Sequence, residues 1–299
     1  MSLKTAVRRW FGRSKTLQVR EPAARQLEDS VYDALLERND VCFDIGANKG
    51  ALAIMFAAKV GIAGRVYAFE PVWPLYERMC REVAADTTLR AAITTIPWGL
   101  SDRRQSAVIN VPHGDYGEEF GVGSMADPAA WAVAQDRWRK EQSAVKIRSY
   151  RAEFVALDDF LEISKSPEPD FIKIDVEGAE LFVLRGAKEF FTSGARPLML
   201  IELFAPWEKA FGYQPWEPLS FLLALGYRTL FICPEGVVEH TPTEHKPFPP
   251  EYERGYNIIA YLPNPHARRI ARLESLRADN PRKCVPFMPP GPCPNRVEA

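Results

Sequence analysis

Short apolar runs, each stopped by a turn residue or an acid, alternate along this chain with longer stretches at helical spacing. No other feature constrains the fold as much. Strands joined through helices pair in parallel and need helices on both faces of their sheet. Val41 to Ile45 reads as a first strand stopped by Gly46, and Ala51 to Val60 as a helix burying Leu52, Ile54, Met55 and Phe56. Arg65 to Phe69 reads as a second strand closing on Glu70-Pro71, followed by a helix from Leu75 to Ala85. A third strand is predicted from Ile93 to Leu100, a fourth from Phe171 to Val176 and a fifth from Pro197 to Leu203, with a helix over about 178–191. A further helix ends at Gly226, and Tyr227 to Cys233 and Ile258 to Leu262 read as an antiparallel pair. The expected fold is α/β, a doubly wound, mainly parallel Rossmann-like sheet with an antiparallel C-terminal strand.

Between Arg103 and about Glu153 the rhythm breaks. Ala107 to Val111 reads as a strand, Gly114 to Gly123 is rich in glycine and acid, and Asp127 to Gln142 reads as a helix with Pro128 just inside its start. The expected division is a basic, solvated segment over 1–24, one domain over 25–265 with an insertion at about 103–153, and a C-terminal helix with a proline-rich tail over 266–299.

The 299 residues suffice for one large α/β core, and a net charge of -1 gives no overall field that would gather nucleic acid. No apolar run approaches the roughly 20 residues of a membrane span. Five scattered cysteines without a C-x-x-C pair argue against a disulfide framework or structural zinc, and for a reducing cytoplasm. Lys4, Arg8, Arg9, Arg13, Lys15 and Arg20 precede the first acid. Among them Leu3, Val7, Trp10 and Phe11 stand at helical spacing, so the alternative to a solvated terminus is weak contact with a membrane surface. The oligomeric state is not legible.

Doubly wound sheets bind ligands at the carboxyl ends of their strands. Here those ends carry Asp44, Glu70, Ser101, Asp175 and Glu202. The first loop, Asp44-Ile45-Gly46-Ala47-Asn48-Lys49-Gly50, combines a sharp turn at Gly46 with a helix start at Gly50. Glu70 follows by the interval of about 20 residues at which an acid on the second strand grips a ribose diol. A nucleoside cofactor is implied, and Asp44 selects among candidates. A carboxylate beside a pyrophosphate repels it, whereas the ammonium and sulfonium of S-adenosylmethionine are attracted. The rival is a nicotinamide-dependent oxidoreductase, for which no Tyr-x-x-x-Lys element is present. A second rival is a non-catalytic cofactor-binding or membrane-associated module.

The densest polar cluster runs from Asp170 to Glu180. Alternation puts Phe171, Lys173 and Asp175 on one face, and a buried lysine there needs Asp44, Asp175 or Glu202 as its partner. Glu177 and Glu180 fall where a helix begins, favourable to its dipole. An alcohol acceptor of a methyl group must lose a proton. Asp175, Glu177 and Glu202 are the candidate bases, with His113 another and Lys173 beside them. No metal is assigned, although a magnesium ion on Asp175 and Glu202 is the alternative. His113, Tyr116 and Ser124 are candidate acceptor-binding residues, and Trp131 and Trp138 would stack on a ring or anchor the insertion.

Taken in order, Phe43-Asp44-Ile45-Gly46-Ala47-Asn48-Lys49-Gly50, Ala68-Phe69-Glu70-Pro71, Leu157-Asp158-Asp159-Phe160, Ile172-Lys173-Ile174-Asp175-Val176-Glu177-Gly178-Ala179-Glu180 and Leu184-Arg185-Gly186-Ala187 resemble the FkbM-type methyltransferase family. The likeness covers about 41–202. It implies a class I, S-adenosylmethionine-dependent fold and O-methylation of a small metabolite, polyketide or sugar or glycan. Carried over by position, Asp44, Gly46, Asn48, Gly50, Glu70 and Pro71 would hold the cofactor. Gly99, Leu100 and Ser101 would sit by the adenine, and Asp175 and Glu177 would line the reaction centre. The chain departs from the family pattern at Trp98-Gly99, in the long insertion after Ser101, and in its basic head and proline-rich tail.

Overall fold

The computed structural model describes residues 22–113, 125, 146–233, 235–248 and 256–278. Tyr116, Ser124, Trp131, Trp138, Cys284, Cys293, the helix expected over 127–142 and the basic head over 1–21 lie outside the described residues.

Eleven strands and nine α-helices are described. In chain order the strands are β1 (Val41–Ile45), β2 (Arg65–Phe69), β3 (Ile93–Ile96), β4 (Gly99–Ser101), β5 (Gln105–His113), β6 (Lys146–Ala156), β7 (Phe171–Ile174), β8 (Leu198–Leu203), β9 (Arg228–Cys233), β10 (Gly236–Glu239) and β11 (Tyr256–Tyr261). The helices are α1 (Pro22–Leu35), α2 (Ala51–Val60), α3 (Trp73–Ala85), α4 (Leu157–Ser164), α5 (Glu180–Arg185), α6 (Lys188–Thr192), α7 (Ala205–Ala210), α8 (Trp216–Ala224) and α9 (Ala267–Ala271).

Eight strands form one sheet in the order β10-β9-β11-β8-β7-β1-β2-β3. β3, β2, β1, β7 and β8 are parallel, while β11 runs antiparallel to both β8 and β9. The sheet is therefore doubly wound with an antiparallel C-terminal strand, as the apolar runs predicted. The strand order reverses at β1, where sequence neighbours β2 and β3 lie to one side and β7 and β8 to the other.

Strand alternation gives the sheet two apolar faces. On one, Cys42, Val66, Phe171, Leu198, Leu200 and Ile259 pack with Val31 and Leu35 of α1, Phe56 of α2 and Met79 of α3. On the other, Phe43, Ile45, Phe69, Ile172, Met199 and Ile201 meet Phe160 of α4, Leu184 of α5, Phe190 and Phe191 of α6 and Leu222 of α8. Fully burying side chains of this size contributes roughly 1.5–3 kcal/mol each, which fixes the register of every strand.

The structure differs from the predicted elements in three places. The apolar run from Ile93 to Leu100 is two strands in two sheets: β3 ends before Pro97, which has no N–H for a ladder, and β4 pairs in parallel with β6. The stretch expected as one helix over 178–191 is broken at Gly186, where a Cβ would lie 2.0 Å from the Ser101 carbonyl oxygen. Backbone approach that close excludes a regular side-chain-bearing helix at this point. The insertion is not irregular where described, because β5 and β6 pair antiparallel from Gln105↔Phe154 to His113↔Lys146. Its inner face, Ile109, Val111, Ala152 and Phe154, packs on Val72 and Leu75 at the start of α3.

The C-terminal segment is bound to the opposite end of the sheet from the strand-end acids. Arg269 of α9 donates to Asp40, just before β1, through Nη1 to Oδ2 at 2.7 Å and Nη2 to Oδ1 at 2.8 Å. The same guanidinium donates to the Leu35 carbonyl at 3.0 Å, and Asp40 Oδ2 also accepts the Glu37 N–H at 2.8 Å. Arg272 pairs with Glu37. Among the described residues, no helix is long and apolar enough to cross a membrane.

Candidate active site

Register fixes which side chains share a face at the carboxyl end of the sheet. Asp44 on β1 lies opposite Ala68 on β2 and Lys173 on β7, Lys173 opposite Leu200 on β8, and Leu200 opposite Ile259 on β11. Two residues further toward the ligand end, alternation returns Glu70, Gly46, Asp175, Glu202 and Asn257 to that same face. Glu202 and Asn257 are direct partners across β8 and β11. One face thus carries Asp44 and Lys173 in a lower layer beneath Glu70, Asp175, Glu202 and Asn257.

Lys173 is the buried cation among these acids, with its side chain 3% exposed. Its ammonium lies 3.3 Å from Asp175 Oδ2 and donates to the Ile174 carbonyl at 3.3 Å. Of the three acids that could have paired it, Asp175 does so. Asp44 is 1% exposed, and its Oδ2 is buried with no hydrogen-bond partner. Burial lifts its pKa to about 7, against the pull of Lys173 and with added repulsion from Asp175. A buried oxygen without a donor is costly and calls for an explanation beyond packing.

Glu70 has two tasks. Its Oε2 accepts the Asn48 N–H and its Oε1 the Val72 N–H, each at 2.8 Å. The first loop is thereby tied to the start of α3. Glu70, expected from the sequence to grip a ribose diol, thus also fixes the backbone of the loop. Asn48 holds a left-handed φ of 52°, a conformation asparagine tolerates, which aims its N–H at Glu70.

Gly46, expected as a sharp turn, also makes a close backbone contact inside the protein. At its φ of +90°, a Cβ would stand 1.9 Å from the Asp175 carbonyl oxygen. Gly46→Ala is expected to cost roughly 3 kcal/mol or more in chemical denaturation, from the clash and the left-handed backbone together. Gly212→Ala shares the backbone cost but has open space within 4 Å, and is the control that isolates the clash. Gly50, with φ +83°, starts α2 beside Met79, whose Cγ would lie 2.8 Å from a Cβ there.

After β7 the chain turns through Glu177, which takes a left-handed φ of 53°. Glu177 is not in a helix; α5 begins at Glu180. The turn is held from below by Glu180, whose Oε1 accepts the N–H groups of Val176 at 3.2 Å and Gly178 at 3.1 Å. Tyr213 donates to the Gly178 carbonyl at 2.7 Å, and its hydroxyl lies 3.3 Å from Glu180 Oε2. Burial raises Glu180 to about 7. Burial, and then repulsion from Asp175, Glu202 and Glu180, pushes Glu177 well above the usual carboxylate range, with Lys173 opposing.

Glu208, Tyr213 and Asn257 were not singled out from sequence. Glu208 on α7 is fully buried, both its oxygens lack partners, and burial lifts it to about 9, with Glu180 adding repulsion. Both the burial and the Glu180 charge favour its neutral form. An acid between Trp207 and Phe211 was the available signal, since a charged residue inside an aromatic run cannot easily reach water.

Gly99, Leu100 and Ser101 are occupied by the small sheet. A Cβ on Gly99 would meet the Phe154 ring at 2.3 Å, Leu100 and Ser101 are 1% exposed, and the Ser101 hydroxyl accepts from Gln105 at 3.0 Å. His113 ends β5 opposite Lys146. Pro71 bridges Glu70 to the buried Val72. Among the described residues no three His, Cys, Asp or Glu side chains are gathered so as to hold a metal ion.

The strand order, with its reversal at β1 and antiparallel β11, is that of the class I methyltransferase fold, and the acids stand at the carboxyl ends of its parallel strands. A family model described as the methyltransferase FkbM domain matches residues 44–229, and the chain belongs to that family. It is 28% identical over 163 residues to the hexuronic acid methyltransferase AglP of Haloferax volcanii, covering 53% of this chain and 56% of that protein. The chain thus spans about half the length of this curated relative. Among solved structures it is similar to the FkbM methyltransferase of Methylobacillus flagellatus (15% identity, TM-score 0.44, covering 82% of this chain and 56% of that one). It is also similar to an S-adenosylmethionine-dependent O-methyltransferase of Thermotoga maritima (12% identity, TM-score 0.41, covering 86% and 71%).

Proposed function

We propose that this chain is an S-adenosylmethionine-dependent methyltransferase acting on a hydroxyl oxygen of a small-molecule or glycan acceptor. The observation that carries the reading is the orphaned Asp44 Oδ2, buried at the strand-order reversal inside a family-matched domain. Its chemistry fits the cofactor: a carboxylate at that point accepts from an ammonium and would repel a pyrophosphate. Glu70 would take the ribose hydroxyls, with Gly46, Asn48 and Gly50 shaping the loop between them. The bound cofactor supplies an electrophilic methyl group on a sulfonium.

The rest falls to the protein. Transfer is an in-line displacement, so alignment of the acceptor supplies much of the rate. Asp175, fixed by Lys173, and Glu202 would orient the acceptor hydroxyl. Glu177 in its ionised form would take its proton, since burial and the neighbouring carboxylates favour holding one there. His113, Tyr116 and Ser124 remain proposed acceptor contacts. The hexuronic acid methyltransferase relative favours a sugar as the acceptor.

Calorimetric titration with S-adenosylmethionine, S-adenosylhomocysteine and NAD tests the cofactor. Binding of the first two and not the third is expected, and NAD binding alone would overturn the reading. The affinity should depend on pH with a definite sign. Asp44, raised to about 7, must ionise to receive the ammonium. Affinity is therefore expected to fall by roughly tenfold per pH unit below 7, with proton release on binding at pH 6. An affinity flat from pH 5.5 to 7 would place the ammonium elsewhere.

A further inference from the structure

Asn257 interrupts the otherwise apolar strand Tyr-Asn-Ile-Ile-Ala-Tyr of β11. Because β11 is antiparallel, its first residues stand at the carboxyl end of the parallel strands, where the acids are. Its partner across β8 is Glu202, and on its other side it lies opposite Ile232 of β9. Ile232 is apolar and supplies no donor, while a carboxylate offers only lone pairs. Asn257 Oδ1 is accordingly buried with no hydrogen-bond partner.

Two features set this orphan apart from a packing accident. It repeats the situation of Asp44 Oδ2 on the same face of the same sheet, one layer higher and toward β11. It also continues a row of lone-pair donors, Asp175, Glu202 and Asn257, on adjacent strands about 4.8 Å apart. A buried polar group left unsatisfied calls for an explanation, and at a strand end beside a row of acids a ligand supplies one.

We propose that Asn257 is an acceptor-recognition residue whose side-chain carbonyl takes a hydrogen bond from a second hydroxyl of a polyhydroxylated acceptor, next to the hydroxyl that Glu202 orients. The row gives the acceptor two neighbouring O–H donors at strand spacing, which is the presentation of a sugar ring. This rests on the methyltransferase reading above and adds to it a residue and a requirement: an acceptor with a single hydroxyl loses the Asn257 contact.

Two measurements on the full chain test the assignment. Asn257→Leu removes an unsatisfied buried acceptor, so its Tm is expected to rise by about 2 °C or more, with affinity for S-adenosylmethionine within twofold of the parent. A lower Tm would mean that the amide is structurally satisfied, and would overturn the proposal. The second measurement is transfer of labelled methyl to methyl β-D-glucuronide. In Asn257→Leu the KM is expected to rise about tenfold with kcat little changed, and Asn257→Thr, which restores an acceptor oxygen, should recover part of it. An unchanged KM overturns the assignment. If the parent protein binds S-adenosylmethionine but does not methylate the glucuronide, the sugar acceptor and the Asn257 role built on it both fail, whatever the Tm of Asn257→Leu.

Discussion

In Asp44→Asn, affinity for S-adenosylmethionine is expected to fall by about two orders of magnitude, while the free protein becomes more stable at neutral and higher pH. Both effects come from one oxygen. In the free protein Asp44 is buried, with Oδ2 lacking a partner and its pKa lifted to about 7. A carboxyl raised above its unfolded value binds more protons when folded, so its stabilising contribution is present in acid and lost as pH rises through 7. The span from 3.8 to about 7 corresponds to on the order of 4 kcal/mol lost across that window. Asparagine has the same shape without the charge, so it removes this dependence together with the attraction for an ammonium. Thermal unfolding at pH 5 and pH 8, with and without S-adenosylmethionine, separates the two. A variant that binds as tightly as the parent would show that the cofactor does not use Asp44. Glu180 and Glu208 carry shifts of the same sign, so part of the pH dependence persists in the variant.

The second large effect lies at the far end of the sheet. Arg269→Met strips Asp40 of a two-pronged partner while leaving it 5% exposed. Breaking a buried ion pair from one side costs roughly 3–5 kcal/mol because the other charge stays buried. For a chain of this size that lowers Tm by on the order of 10 °C. Burial already raises the Asp40 carboxyl despite the guanidinium, so the unpaired acid will take a proton when Arg269 is gone. The double variant with Asp40→Asn should recover much of the loss, and a double-mutant cycle measures how much. Cofactor affinity should not change, because Asp40 precedes β1 and the ligand acids follow it. A fall in affinity would mean that the two ends of the sheet are coupled.

What could be read from sequence was whatever produced a local signature. β1, β2, β7 and β8 are apolar runs with abrupt polar ends, and those ends are the site acids. β6 carries no such signature, because its inward residues, such as Ala152 and Phe154, alternate with exposed Arg151 and Glu153 in the stretch where the rhythm breaks. The break at Gly186 arises from contact with the Ser101 carbonyl, 85 residues away in the chain, which no window of sequence contains. Lys173 was read as a buried cation, but which acid held it depended on side-chain reach. The second task of Glu70 was invisible for a like reason, since its partners are backbone N–H groups placed by the fold. Glu208 and Asn257 looked like ordinary polar residues until burial and missing partners gave them meaning.

The position of β11 has a consequence for how the chain is made. It is the last strand of the sheet in sequence, yet it lies between β8 and β9. Until residues 256–261 leave the ribosome, β8 has an open edge and the β9–β10 hairpin has no seat. A nascent chain that had already paired β7 with β8 and β9 with β10 would carry two unpaired strand edges until β11 is made. Closing that gap also brings Asn257 beside Glu202 and, a few residues later, Arg269 to Asp40. Synthesis of the last part of the sheet is thus the event that seats Asn257 beside Glu202 and clamps the opposite end, and a chain halted before it would offer its open edges to other chains.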